Sequence, residues 1–305
     1  MADNSWNMIV EPEKPIPVSE LEVVVHEGLS PNFPISRSYE RNMINAYWDD
    51  FVKGMAREYE ADIIDALNNK DTKRFNTIMR QVAGISSMYR LNKASLNGKR
   101  LDLEMSITDF RDYAGTNQRS FMDPGFREML MNNGLKDKGD PDYYFANPMA
   151  TCANIVTSDS FIVIGTRSNK VAMHPGIPHL IAGHVKVNGK NKPDFTVKDV
   201  NIMDNMKKEL YEEIGLNDED LVSRDFLAII QHNGSRHHEA LYNVSLKINA
   251  EELYERWRTK SQDKFEHRNI TMYKKDELPA FLERWKGELV PSGEATLKLF
   301  LKHYR

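Results

Sequence analysis

The sequence predicts a mixed α/β protein in two parts, and three observations carry that prediction. Met43, Tyr47, Phe51, Met55, Tyr59 and Ile63 recur at i+4, the period of one apolar face on a long helix. Asn97-Gly98 and Ser158-Asp159-Ser160 each separate two β-prone runs, as hairpin turns do. The polar, glycine-rich stretch 134–141 then divides the chain. An N-terminal α/β domain is expected over 1–144 and a second domain over 145–305.

Element by element, residues 1–38 read as an extended arm with short strands. The best strand lies at 21–26, and Pro31 and Pro34 keep the next residues out of regular structure. One long helix is expected from Tyr39 through Ile63 and a second around 71–83. Strands at 89–96 and 100–105 flank the Asn-Gly turn. Ser106-Ile107-Thr108-Asp109 resembles a capping box opening a short helix that stops near Gly115. Past the boundary, strands are expected at 153–157, 161–166, 226–230 and 240–248, with amphipathic helices over 276–304.

Composition narrows the function classes. Of 305 residues, 40% are hydrophobic and 28% charged, a globular balance. A net charge of −4 supplies no overall field for DNA or an acidic membrane. No run of about 18 apolar residues predicts a membrane span. The single cysteine, Cys152, forms no internal disulfide, so a reducing cytoplasm is the expected compartment. The acidic start from Met1 to Pro17 reads as no signal peptide.

The chemistry concentrates in Lys208-Glu209-Leu210-Tyr211-Glu212-Glu213-Ile214-Gly215-Leu216. Glu209, Glu212 and Glu213 stand at i, i+3 and i+4, on one face of a helix, and Ile202, Met203, Met206, Leu210 and Ile214 form a neighbouring apolar face. A solvated acidic helix with a glycine cap accounts for Gly215 and Leu216. It does not account for the glutamates, because a helix C-terminus favours Lys or Arg. Grouped hard oxygens suit Mg²⁺, which neutralises the like-charge cluster, and Mn²⁺ is the alternative cation.

This segment resembles the helix of the Nudix box: Gly, five residues, Glu, seven residues, then Arg-Glu-apolar-x-Glu-Glu-x-Gly-apolar. Lys208 takes the place of Arg. Ile181-Ala182-Gly183-His184-Val185 resembles the turn that opens the box. Between Gly183 and Lys208 lie about eleven residues more than the pattern has, and Gly189 occupies the position of its first glutamate. Asp194, Asp199 and Asp204 are the candidates to replace that glutamate, Asp199 also being the expected N-cap of the helix. Within the Nudix group, Leu29-Ser30-Pro31, the helix around Trp48, the segment Thr108 to Asn117 and Ala146-Asn147-Pro148 resemble the UDP-sugar diphosphatases, with an extra helical insertion at about 55–87.

The resemblance implies a Nudix α/β/α sandwich with a mixed sheet, preceded by a smaller α/β domain. It implies Mg²⁺ at Glu209, Glu212, Glu213 and the Gly183 turn, and proton transfer by Glu209, Glu213 or Glu239. The implied substrate is a small nucleotide sugar, UDP-glucose or UDP-galactose, touched by Arg167, His184, Arg111, Gly115, Thr116 and Asn117. For Arg167 and Glu239 an exposed strand-end side chain is the competing reading, and for Arg111 a solvated helix residue. An RNA-cap or dinucleotide hydrolase would need a basic groove, for which Lys186, Lys190, Lys192 and Lys198 are the candidates; RNA is not the expected partner. A catalytically silent nucleotide-binding module is the third alternative. His237 and His238 should point to opposite sides of a strand, and with no cysteine nearby a zinc site is not expected.

Overall fold

The computed structural model describes residues 5–84, 86–169, 174–187, 201–262 and 266–304. Its strands are β1 (Trp6–Val10), β2 (Ile16–Pro17), β3 (Glu22–Glu27), β4 (Ser87–Asn97), β5 (Arg100–Asp109), β6 (Met149–Val156), β7 (Phe161–Arg167), β8 (Pro178–His179), β9 (Ile181–His184), β10 (Leu221–His232), β11 (His238–Leu246) and β12 (His267–Lys274). Its helices are α1 (Ser38–Glu58), α2 (Glu60–Asn68), α3 (Thr72–Ala83), α4 (Phe110–Tyr113), α5 (Arg119–Met122), α6 (Pro124–Lys138), α7 (Ile202–Ile214), α8 (Ala250–Lys260), α9 (Leu278–Arg284) and α10 (Pro291–His303). None of these helices is long and apolar enough to cross a membrane.

The larger sheet has the strand order β1-β10-β11-β6-β7-β12, with β2, β8 and β9 paired to β10, β7 and β6. It is mixed, since β11 runs parallel to β6 and antiparallel to β10. On one face it packs Ile202, Met206, Leu210 and Ile214 of α7 and Leu253 of α8. On the other it packs Leu278 and Phe281 of α9 and Leu297 and Phe300 of α10. This is the α/β/α sandwich with a mixed sheet that the resemblance implies.

The smaller sheet, β3-β5-β4, lies in the first half. Leu91, Leu101, Leu103 and Met105 from it share one buried cluster with Met149, Met206 and Tyr242, so the two halves have a continuous core. The strands at 6–10 and 16–17, read from sequence with the N-terminal half, instead pair with β10 in the larger sheet.

Two local readings are corrected. The single helix expected over 39–63 ends at Glu58 and resumes at Glu60, and α2 and α3 pack Ala66, Ile78 and Val82 around Tyr59 in a separate small core. The helix after β5 is capped by Asp109, whose side chain accepts from Asp112 N, so 106–109 is strand and cap rather than a capping box. Nor does it stop at Gly115. The chain continues as a π-helical turn over Ala114–Gln118 and then α5. A Cβ on Gly115 would lie 2.3 Å from Ile44 Cγ2, so only glycine lets this turn settle on α1.

Candidate active site

A cleft of about 370 Å³ opens between the halves of the chain. The first half supplies an aromatic wall, in which Phe110 meets Phe51 edge-on at 6.0 Å and tilts against Tyr113 at 5.7 Å. The second half supplies the polar floor: Arg167, Gly183, His184, Glu209, His232, His237 and Glu239.

Helix α7 brings Glu209 there. Asn201 caps it by accepting from Met203 N and Asp204 N, and Gly215, at φ 71°, ends it in the left-handed region. Asn201, not Asp199, is thus the N-cap, while Asp204 sits in the first turn and accepts from Asn201 Nδ2 at 2.7 Å. Asp194, Asp199 and the lysines at 190, 192 and 198 lie outside the described residues. One turn before Glu209, Asn205 donates to Gly183 O at 3.3 Å and Thr151 Oγ1 at 3.2 Å, pinning the helix to β9, where Gly183 lies in a strand and not in the expected turn. The Glu209 carboxyl then lies where a side chain on residue 183 would begin, with Cδ 2.2 Å from a Cβ built on Gly183. Burial, and next the charge of Glu213, push the Glu209 carboxyl up to about 8.

The other two glutamates diverge from it. Glu213 is buried and accepts from His267 Nε2 at 2.6 Å; it does not line the cleft. Burial lowers His267 to about 4, so it donates as a neutral imidazole. Glu212 turns outward to Lys208, 3.7 Å away. Of the three carboxylates, which share one helix face, only Glu209 lines the cleft, because Glu213 is held by His267 and Glu212 by Lys208.

Across the cleft stands Glu239. The register aligns His184 with Ala150 and Ala150 with Glu239 on adjacent strands β9, β6 and β11. Glu239 Oε1 lies 3.0 Å from both His237 Nε2 and His232 Nε2. Burial raises the Glu239 carboxyl, but the two imidazoles outweigh it and hold the group well below its ordinary range. Burial pushes His237 to about 4 and His184 to about 3, which leaves both neutral near pH 7. Arg167, at the end of β7, and Lys186 are cations that line the cleft beside these groups.

Four residues expected at the substrate are elsewhere. Gly115, Thr116 and Asn117 are buried and do not line the cleft. Thr116 Oγ1 accepts from Ala146 N at 3.1 Å. Asn117 Nδ2 donates to Asn147 Oδ1 at 2.8 Å and to Ser235 O at 2.7 Å, while its Oδ1 accepts from Asn147 N at 3.0 Å. Their polar atoms bind the protein itself, so they brace the loop behind the site. Arg111 is more than a third exposed and pairs with Asp109 and Asp112 at 3.5 and 3.8 Å. Asn205, His232 and His267, in turn, have no motif to betray them. Only Asn205 carried a signal, by standing one turn before Glu209 on the same helical face.

The residues present fit a divalent cation. Glu209 Oε1 and Glu239 Oε2 are buried oxygens without a hydrogen-bond partner, on two residues that line the same cleft. A buried anionic oxygen left unpaired is costly, and a cation satisfies it.

No family model matches the chain. A segment of 101 residues is 35% identical to uridine diphosphate glucose pyrophosphatase NUDT22 of Homo sapiens, covering 32% of this chain and 32% of that protein. The protein of the same name from Mus musculus is 35% identical over 100 residues, covering 32% and 31%. The chain thus matches about a third of the length of these curated relatives. Among solved structures, a NUDIX hydrolase from Nitrosomonas europaea is 13% identical with a TM-score of 0.34, over 50% of this chain and 87% of that one. The MutT protein from Methanosarcina mazei Go1 is 13% identical with a TM-score of 0.31, over 51% and 93%. Over the aligned third the chain is similar in sequence to these uridine diphosphate glucose pyrophosphatases.

Proposed function

We propose that this protein hydrolyses the diphosphate of a nucleoside-diphosphate sugar, UDP-glucose or UDP-galactose, to UMP and a hexose 1-phosphate, with Mg²⁺ as cofactor and Mn²⁺ as its substitute. The observation that carries the reading is Glu209: a buried carboxyl raised to about 8, set against Gly183 in a cleft that also holds Arg167. When bound, the cation supplies positive charge to the diphosphate and makes water more acidic.

The chain's own groups do the rest. Glu209 would hold the cation once deprotonated, and Glu209 or Glu239 would accept the proton of the attacking water. Glu239, held ionised by two histidines, is the poorer acceptor. Glu213 positions α7 through His267 and keeps negative charge beside Glu209. Arg167 neutralises the phosphoryl oxygens, and neutral His184 donates to them. The aromatic wall of Phe51, Phe110 and Tyr113 offers flat apolar surface for the base, which assigns a use to the region where α1 runs into the inserted helices.

The test is a panel of nucleoside-diphosphate compounds assayed with Mg²⁺ or Mn²⁺ and read by product identity. Release of UMP and hexose 1-phosphate from UDP-sugars in preference to capped RNA and dinucleotides supports the reading. No turnover of any UDP-sugar with either cation overturns it.

A further inference from the structure

His232, His237 and Glu239 do more than line the cleft. Each offers one ligand atom, and the three atoms lie within 4.8 Å of one another, the one such group of histidine, cysteine and carboxylate side chains among the described residues. All three side chains are more than nine-tenths buried. We propose that they form a second cation site, built for a first-row transition metal of the Zn²⁺ class and distinct from the Mg²⁺ position at Glu209.

The donor chemistry is the first argument. Two imidazole nitrogens and one carboxylate oxygen suit a borderline cation, whereas Mg²⁺ prefers oxygen throughout. Metal–ligand bonds of roughly 2.0–2.2 Å set tetrahedral ligands about 3.4 Å apart. Both Nε2 atoms already stand 3.0 Å from Glu239 Oε1, so a small separation of the three makes room for an ion.

Unused bonding capacity is the second. His232 Nε2 approaches Glu239 but forms no hydrogen bond, and Glu239 Oε2 has no partner. Two buried residues that line one cleft therefore each carry an unpartnered ligand atom. His237 is oriented for the role, because Ser235 Oγ lies 2.8 Å from its Nδ1 and can accept that proton, leaving Nε2 as the ligand.

The third argument is preorganisation. The loop between His232 and His237 is fastened from outside. Arg236, in the left-handed region at φ 63°, forks onto Asp142 at 2.8 and 2.9 Å. Arg127 donates to Gly234 O at 3.2 Å and Asn117 to Ser235 O at 2.7 Å. His237 O in turn accepts from His232 N at 2.9 Å, which holds the two imidazoles 3.9 Å apart between centroids. The two residues are the cross-strand neighbours that close the β10–β11 hairpin. Facing the same cleft as Glu209, an ion here would contact whatever anion binds there, but the site is defined by its donors and does not rest on the hydrolase reading.

The experiment uses the full chain, freed of metal by chelation, with Co²⁺ as the spectroscopic probe and Zn²⁺ as the competitor. Visible absorption saturating at one Co²⁺ per chain in excess Mg²⁺, and bleached by stoichiometric Zn²⁺, is expected. His237→Gln and His232→Gln should each weaken Zn²⁺ binding by at least about 10²-fold, and Ser235→Ala, which removes only the orienting contact, by about tenfold. Glu209→Gln should leave the bands in place. If the buried histidine variants fail to fold, the Ser235 variant and the Mg²⁺ competition in the unaltered chain decide. Displacement of Co²⁺ by millimolar Mg²⁺, or loss of the bands in Glu209→Gln with retention in His237→Gln, would overturn the proposal. Neither outcome bears on whether UDP-sugars are hydrolysed.

Discussion

The Glu209 carboxyl occupies the space that any side chain at residue 183 would take, 2.2 Å from the Cβ position to Glu209 Cδ. Glycine is needed there for the neighbour's sake, since residue 183 itself lies in an ordinary strand. Gly183→Ala should push the carboxyl off β9 and lower turnover by at least about 10²-fold. Because the displaced atoms end a flexible side chain, unfolding free energy should change by about 1 kcal/mol or less. Wild-type turnover in the alanine variant would show that the contact has no role in catalysis.

The raised Glu209 carboxyl also gives the metal-free protein a distinctive pH profile. Between its ordinary 4.5 and about 8 the folded chain keeps this proton while the unfolded chain has lost it. Stability from this group is therefore full below 4.5 and falls as pH rises to 8, by roughly 1.4 kcal/mol per unit. His237 and His267, both pushed to about 4, act oppositely: the unfolded chain takes up their protons first, so stability falls as pH drops below 6.5. Urea midpoints of the chelated protein should pass through a maximum, and Glu209→Gln should remove the loss between 4.5 and 8, which flattens the alkaline side and steepens the acid side. An unchanged alkaline slope in that variant would refute the buried-carboxyl assignment.

Glu213→Gln should lower turnover by at least about 10²-fold while the metal-free midpoint stays level or rises. The amide oxygen still accepts from His267, and the like charge that lifts Glu209 is gone. Its alkaline stability loss should shift to lower pH at the same time. A variant with normal activity would remove Glu213 from the machinery.

Hydrolysis at phosphorus predicts where solvent oxygen goes. With UDP-glucose in ¹⁸O-water, mass spectrometry should find the label in UMP or glucose 1-phosphate as phosphate oxygen. Label on the sugar carbon would mean glycosidic cleavage, which a carboxylate pair would catalyse.

Asn117→Ala should destabilise the chain by about 2–4 kcal/mol, since three hydrogen bonds among buried groups lose their centre. Arg111→Ala, on a partly exposed side chain, should stay within about 0.5 kcal/mol. Equal effects of the two in denaturant titration would contradict the bracing role given to Asn117.

These contrasts mark how far the residues alone could be read. Local rules made α7 legible: Gly215 stops it, the 3.6 period sets its buried face, and Glu209 comes with that face. Asn97-Gly98 likewise announced the β4–β5 hairpin, where Gly98 takes φ 60°. Spacing could not tell Glu213 from Glu209, because the difference lies in His267, more than fifty residues on and beneath the helix. The Thr116-Asn117 pair looked like a binding turn because its polar atoms are suited to any acceptor or donor; only the approach of Asn147 and Ser235 decides which they meet. His237 and His238 do diverge as strand neighbours, His238 lying away from the cleft. His237's partner is His232, reached across a turn whose shape depends on Asp142.

That last dependence has a consequence for how such a chain can change over generations. The loop bearing His237 is tethered by Asn117, Arg127 and Asp142, all from the first half, while the acid on α7 belongs wholly to the second. A catalytic half copied into another gene would carry its glutamates but leave three moorings behind. Drift at Asp142, remote from any reacting atom, would have to be answered at Arg236. The two halves are bound to vary together, as a lock and its housing must be cut by one hand.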